Sequence, residues 1–462
     1  MSRTRAFTIA VLSLSILCSV VAVAAIQRGW FGREAGPGGP VHKTPPAPVA
    51  KAQIPVADRD VIIHVVWGQS LSVGSGSLPV ISTDQVYNNL SGPLGPRTEP
   101  DQWVAFEPLR EFDYDKRGET IASAFANGLS RREIDLLGVP DNATQAHLVF
   151  APGTGNLPLS ELRRGSKRYD QYFLRSLRKI IDIAVSEGKT VGFGSILWMQ
   201  GEHEAKYKPD MTQAEYRDSL ISLRREMEAD IKRLLSEKGI QQKEVVPLLT
   251  SQANRTRLNS GAGWRIAQAQ LEASRVDPNI YFVSPTYDTT PHDGTHLTAQ
   301  AEFRLGDRFA EVYHWLQRGY EVYDAVIPVA AWIEGDTLTC KFLAPVLPLQ
   351  WNFDVVSGAK WLTDYGFRLE ADGKAVGIDS VPTIHPDGDK LTWKVPADLR
   401  GSLQLRGGMD YFTPGAGFAG GSYGILSDSS ERTIEIPGRG QEKLRSMMAH
   451  FAIPVTRGRP QE

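Results

Sequence analysis

Four short stretches place chemically capable side chains just beyond apolar runs. Ser70 follows the run 61–67 in "VIIHVVWGQSLSVGSGS", behind Gly68 and Gln69. Gln200, Gly201 and Glu202 close the run 190–199 in "WMQGEHEA". "HDGTHLT", after the run 280–283, puts Asp293 three residues before His296. Gly153 and Gly155 stand in "APGTGNLPLSEL", beyond the run 147–151.

A serine hydroxyl attacks poorly unless a base takes its proton, and an imidazole, which titrates near neutral pH, suits that role. Asp293, in the same turn as His296, can accept from the other ring nitrogen and stabilise the imidazolium. An oxyanion formed on an attacked carbonyl needs preorganised donors. The candidates are the backbone N–H of Ser70, a glycine N–H from Gly153 or Gly155, and the side-chain amide of Gln200. Each stretch has a plainer reading on its own: a turn for Gly-x-Ser, a cap for Asp-x-x-His, a polar loop for Gln-Gly-Glu. Their shared position at strand ends, where open α/β sheets bind ligands, is what joins them.

The elements that must hold these residues are legible as alternating patterns. Apolar runs at 61–67, 147–151, 190–199, 244–250 and 280–283 are separated by segments of helical period, the pattern of a parallel α/β sheet. In 169–188, Phe173, Leu177, Ile180, Ile181 and Ala184 share one helix face and Gly188 supplies an end. Thr212 and Glu215 form a capping box ahead of a stripe through Leu220, Leu223, Met227, Ile231 and Leu234, closed by Gly239. A further helix follows Thr298. After about residue 325 the texture changes to short β-like runs broken by Gly, Pro and Asp, which predicts a separate, sandwich-like β domain.

The 462 residues, 41% hydrophobic, suffice for two folded units. Lys+Arg total 51 against 53 for Asp+Glu, so no charge imbalance points to nucleic acid. The two cysteines, Cys18 and Cys340, make no disulfide framework and no zinc cluster. Arg3 and Arg5 precede an apolar stretch, 6–26, of about 21 residues, long enough to span a bilayer. It reads as a signal peptide or an uncleaved signal anchor, with Ala22-Val23-Ala24 as a cleavage option, and predicts export to the periplasm or exterior. Residues 35–57, rich in Pro, Gly and Ala, read as a spacer. The expected organisation is therefore a leader at 1–27, a linker at 28–57, a catalytic α/β domain at 58–322 and a β-rich accessory domain at 323–462.

"WGQS", "WMQGEHEA" and "DGTH" resemble sequence blocks of the SGNH-hydrolase superfamily, in particular its sialate O-acetylesterase and carbohydrate esterase family 6 branch; "RGET" at 117–120 resembles another block. The likeness covers roughly 60–320. It implies a flavodoxin-like three-layer αβα fold and an esterase that removes O-acetyl groups from a carbohydrate. Ser70, Asp293 and His296 carry over as the triad, Ser70, Gly153 or Gly155 and Gln200 as oxyanion donors, and no metal or cofactor is implied. Gln69 and Glu202 are expected to contact substrate, although Glu202 is better suited to a structural role as a carboxylate bonded to nearby backbone N–H groups. Leu71 departs from the pattern where asparagine is usual, and Glu204 where aspartate is common. Two rivals use the same residues: a glycan O-acetyltransferase, and a catalytically silent glycan-binding envelope protein.

Other chemically capable residues have simpler expectations. His64, within a strand, reads as a hydrogen-bonded core histidine, and His203 as solvated. His292 is a rival base without the Asp-x-x-His spacing. Glu119 reads as structural, and "VGSGS" at 73–77 as a flexible rim of the site. Asn89, Asn142 and Asn254 head Asn-x-Ser/Thr triplets.

Overall fold

The computed structural model describes residues 59–138, 145–253, 263–290, 292–293, 295–320, 323–353, 365–376, 381–408 and 424–460. The apolar stretch 6–26, the spacer, Asn142 and Asn254 lie outside them. Among the described residues no helix is long and apolar enough to cross a membrane.

Seven strands form the first sheet: β1 Val61–Gly68, β2 Leu90–Ser91, β3 Glu107–Pro108, β4 Ala146–Phe150, β5 Val191–Met199, β6 Leu248–Thr250 and β7 Ile280–Phe282. Their order is β3-β2-β4-β1-β5-β6-β7, parallel throughout except for β2 with β3. All five expected runs are strands. β1 is buried along its whole length because both faces are covered. Val61, Ile63, Val65 and Trp67 pack with Leu177, Leu220 and Ile266, while Val66 packs with Phe125, Leu305 and Phe309. The result is a three-layer αβα arrangement.

Thr212 caps helix Gln213–Ser236 with the reciprocal box to Glu215, and Thr298 caps helix Ala299–Leu316. The segment expected as one helix at 169–188 opens with a π turn, Tyr169–Leu174, before regular helix Arg175–Ser186. Helix Ile121–Leu137, absent from the sequence expectation, buries small residues against Ala299–Leu316. His64 is the core residue expected. Its ring meets Ser195 Oγ at 2.8 Å and His147 Nδ1 at 3.1 Å, and burial holds it well below the usual imidazole range. Asn89 is fully buried and bonded to Asn127 and Ser130, so this triplet offers no glycan site in the folded chain.

The all-β region begins with Ala325–Glu334, a strand that changes register between Pro328 and Ala330. Thr337–Leu343 and Lys390–Lys394 extend one arm from it, and Phe451–Arg457, Leu403–Gly407 and Phe367–Ala371 extend another. The arms pack face to face in a sandwich-like way, with Phe367 and Trp393 ring centroids 5.1 Å apart. Leu271 and Phe282 of the α/β part belong to this same apolar core. Arg308, fully buried, pairs with Asp288 and with Asp324, which also takes Arg432 and Ser446. Apolar and ionic contacts thus join this β-rich region to the α/β part.

Candidate active site

β1 ends at Gly68, whose φ of 155° suits only glycine and whose missing Cβ leaves room for the Met199 carbonyl. Gln69 N donates to that carbonyl at 3.0 Å and ties the ends of β1 and β5 together. Ser70 then opens a tight 3₁₀ turn, Ser70–Val73, closed by Gly74. Ser72 Oγ donates to Gln69 O at 2.6 Å, and Ser75 N donates to Ser70 O at 3.0 Å. Leu71 is buried in the apolar layer with Leu109, Leu197 and Met199. An apolar residue there anchors the turn from below, where asparagine would have offered a polar group.

Gly153, beyond β4, lies against the same turn. A Cβ on it would come 2.6 Å from Gly68 O and collide with Ser72 Oγ, and a Cβ on Gly155 would stand 3.9 Å from that of Ser70. Among the described residues, the backbone N–H groups of Ser70, Gly153 and Gly155 have no protein acceptor. Unpartnered N–H groups around one buried serine form a ready site for a negative oxygen.

The turn from Ser70 runs into Gly76, which stands against both histidines of the last loop. A Cβ there would lie 2.8 Å from His292 Cδ2 and 3.2 Å from His296 Cβ. Asp293 Oδ2 takes His296 Nδ1 at 2.8 Å, while Oδ1 accepts the N–H of Thr295 at 2.7 Å and of His296 at 2.8 Å. Partial burial would push this carboxyl up, but the hydrogen bonds from His296 and Thr295 outweigh it and bring it down to about 2. The carboxylate thus stays ionised and serves His296 in preference to His292.

The rim at 73–77 is pinned, contrary to the flexibility expected of it. Gly76 N donates to Lys116 O, Gly118 N to Gly74 O, and Glu119 N to Ser77 O, and Ser77 Oγ bonds Leu297 O. Glu119 accepts from Ile81 N at 2.8 Å and Ser82 N at 3.0 Å. Burial, aided by the charge of nearby Glu111, pushes Glu119 up to about 8. Burial raises Glu111 as well, against the pull of Arg97.

Three of the expected site residues bond other protein groups. Gln200 was expected to donate to an oxyanion, yet its Nε2 donates to Leu157 O at 3.3 Å and to Glu204, and its Oε1 accepts from Tyr216 at 2.9 Å. Both amide hydrogens are committed inside the protein, so Gln200 braces the loop. Gln69 and Glu202 were expected to contact substrate. They are buried and bond each other at 2.8 Å, and Gln69 Oε1 also accepts from His203 N. This pair locks the ends of β1 and β5. Glu204, raised by burial, closes the brace by accepting from Leu159 N at 2.6 Å. Tyr216 went unnoticed as a site residue; its one sequence signal is a hydroxyl on the apolar face of a helix. No group of three or more His, Cys, Asp or Glu suited to a metal ion stands among the described residues.

Residues 60–315, more than half of the chain, match the model of the carbohydrate esterase, sialic acid-specific acetylesterase family. The parallel sheet with flanking helices carries its candidate site on the loops at its carboxyl edge, as open α/β sheets do. The chain belongs to the family of carbohydrate esterases described as sialic acid-specific acetylesterases. A solved carbohydrate acetylesterase from Xanthomonas citri is similar over 85% of this chain and 80% of its own, with a TM-score of 0.51 and 15% identity. That likeness is one of fold. A protein from Arabidopsis thaliana is 20% identical, covering 55% of this chain and 98% of its own at a TM-score of 0.39. A carbohydrate acetylesterase from Sinorhizobium meliloti is 13% identical, covering 55% and 99% at 0.31. No curated protein sequence matches the chain.

Proposed function

We propose that this carbohydrate esterase removes O-acetyl groups from a glycan by way of an acetyl-enzyme on Ser70. The observation that carries the reading is the Asp293–His296 contact of 2.8 Å beside the turn that begins at Ser70. With Nδ1–H given to Asp293, the Nε2 lone pair of His296 is the base. It takes the Ser70 proton as Oγ bonds to the acetyl carbon, and the carbonyl electrons move to oxygen. The N–H groups of Ser70, Gly153 and Gly155 receive that charge. Collapse breaks the bond to the sugar oxygen, which leaves with the proton from His296. Water then loses a proton to His296, attacks the acetyl carbon and releases acetate, regenerating Ser70.

Hydrolysis is favoured over transfer because water at roughly 55 M competes with any acceptor hydroxyl not held by tight binding. The apolar stretch 6–26 and the spacer support an exported setting, with 6–26 either cleaved as a signal peptide or kept as a membrane anchor. The test is acetate release by the full chain from a panel of O-acetylated glycans, sialic acids included. Release that Ser70→Ala loses supports the reading. Acetyl transfer to added glycan in excess of acetate release would replace it with the transferase, and neither reaction on any glycan would replace it with a binding protein.

A further inference from the structure

Arg168 stands at the entry to the π turn Tyr169–Leu174, half-buried, with its guanidinium carbon 3.6 Å above the ring of Tyr172. Its Nε donates to Pro152 O at 2.7 Å and its Nη2 to Gly153 O at 2.5 Å. Burial pulls this guanidinium below its usual range, with Glu99 and Tyr172 raising it and Arg117 adding a like charge. It remains a cation at any pH an enzyme meets. A positive fork therefore grips two consecutive carbonyls of the buried turn that lies against Ser70.

The two peptide groups it grips are those whose nitrogens belong to Gly153 and Thr154. In a planar amide the carbonyl oxygen and the N–H share one delocalised system, so a cation bonded to the oxygen draws electron density from nitrogen and strengthens the N–H as a donor. Gly153 N–H has no acceptor among the described residues, and there is no room for a Cβ on Gly153 between Gly68 O and Ser72 Oγ, so this turn lies close against the end of β1. Arg168 supplies both what holds that peptide at one angle and what polarises it.

We infer that Arg168 is a positioning residue of the acyl-transfer site, acting through the Pro152–Gly153 peptide to strengthen the Gly153 N–H that receives the oxyanion. The inference rests on the reading of Ser70 as nucleophile and of Gly153 as oxyanion donor. It requires the charge and the fork together: lysine keeps one of these features, and glutamine neither. Because the oxyanion exists only after attack, the effect falls on kcat and not on substrate binding.

The test uses the full-length protein and nitrophenyl acetate, with Arg168→Lys, Arg168→Gln, Arg168→Ala and Ser70→Ala compared at equal folded concentration. Arg168→Gln should lower kcat about 10- to 100-fold with KM within about threefold, less than the loss of an oxyanion donor outright. Arg168→Lys should fall between it and wild type. Affinity for a boronic acid, which forms a tetrahedral anion on the serine, should drop in parallel with kcat, and added guanidinium should restore part of the Arg168→Ala loss. Unchanged kcat in both folded variants, or a rise in KM alone, overturns the inference while Ser70→Ala remains inactive. An active Ser70→Ala instead overturns the reading beneath it. If Arg168→Gln does not fold, the kcat and boronate affinity of Arg168→Lys decide the matter by the same criteria.

Discussion

Asp293 grips His296 at two points: its Oδ2 takes the ring Nδ1 at 2.8 Å and its Oδ1 the backbone N–H of the same residue, also at 2.8 Å. One carboxylate therefore fixes both the position of the histidine backbone and the angle of its ring. Asp293→Asn keeps the shape but can donate where it should accept, which favours the wrong tautomer. The expected result is a fall in kcat of roughly 10²- to 10⁴-fold with little change in KM, measured by steady-state acetate release. A variant within threefold of wild type would remove Asp293 from the mechanism.

Gly153→Ala separates crowding at the site from damage to the fold. The added methyl would meet Gly68 O at 2.6 Å and press on Ser72 Oγ, so the turn must move away from Ser70. A loss of about 10² or more in kcat is expected, with a far-ultraviolet circular dichroism spectrum like that of wild type. Full activity in this variant would place the oxyanion elsewhere.

Gln200→Ala tests the brace. It removes one buried hydrogen bond each from Glu204, Tyr216 and Leu157 O, while Glu204 keeps Leu159 N and Tyr216 keeps the Gln200 backbone carbonyl. The expected cost is about 1–3 kcal/mol in urea unfolding, with kcat per folded molecule within about tenfold. A large kcat loss at unchanged stability would return Gln200 to the oxyanion.

Glu119 gives a stability signature in pH. Its folded value of about 8 lies above the ordinary 4.5, so the native state holds a proton that the unfolded chain releases. The associated stability is complete below about 4.5 and is lost as pH rises through about 8. Glu119→Gln, which preserves acceptors for Ile81 N and Ser82 N, should flatten the decline in melting temperature between these limits. Parallel wild-type and variant curves over that range would contradict the shift.

The β-rich region should unfold with the α/β part in one calorimetric transition, because Phe282 and Leu271 lie in its core and Arg308 is buried between Asp288 and Asp324. Two resolved transitions would show that each part stands alone.

The strands and the Asp293–His296 contact were legible because they depend on local pattern: β-branched runs, a capping box at Thr212 and an Asp-x-x-His turn. Helix Ile121–Leu137 was overlooked, since its stripe is short, Ile121, Phe125 and Leu129, and is interleaved with alanine, glycine and serine. Much of its packing is through small residues, with Gly128 against Ala310 and Gly306 against the Ile121 carbonyl, and such close approach weakens the periodic signal. The role of Gln200 was hidden for another reason. Whether its amide is free depends on Tyr216, sixteen residues away, and on Glu204, and only the packed loop decides that. Residues that hold the site together proved harder to recognise than residues suited to reaction, because a bracing role is defined by tertiary partners.

The central claim is that Ser70 carries the acetyl group, and peptide mass mapping after acid quench tests it most directly. Full-length protein mixed with nitrophenyl acetate and quenched during turnover should yield an acetylated peptide containing Ser70, with the acetyl group localised to that serine by fragmentation and absent from Ser70→Ala. An acetyl group on a different residue, or continued turnover by folded Ser70→Ala, would contradict the account.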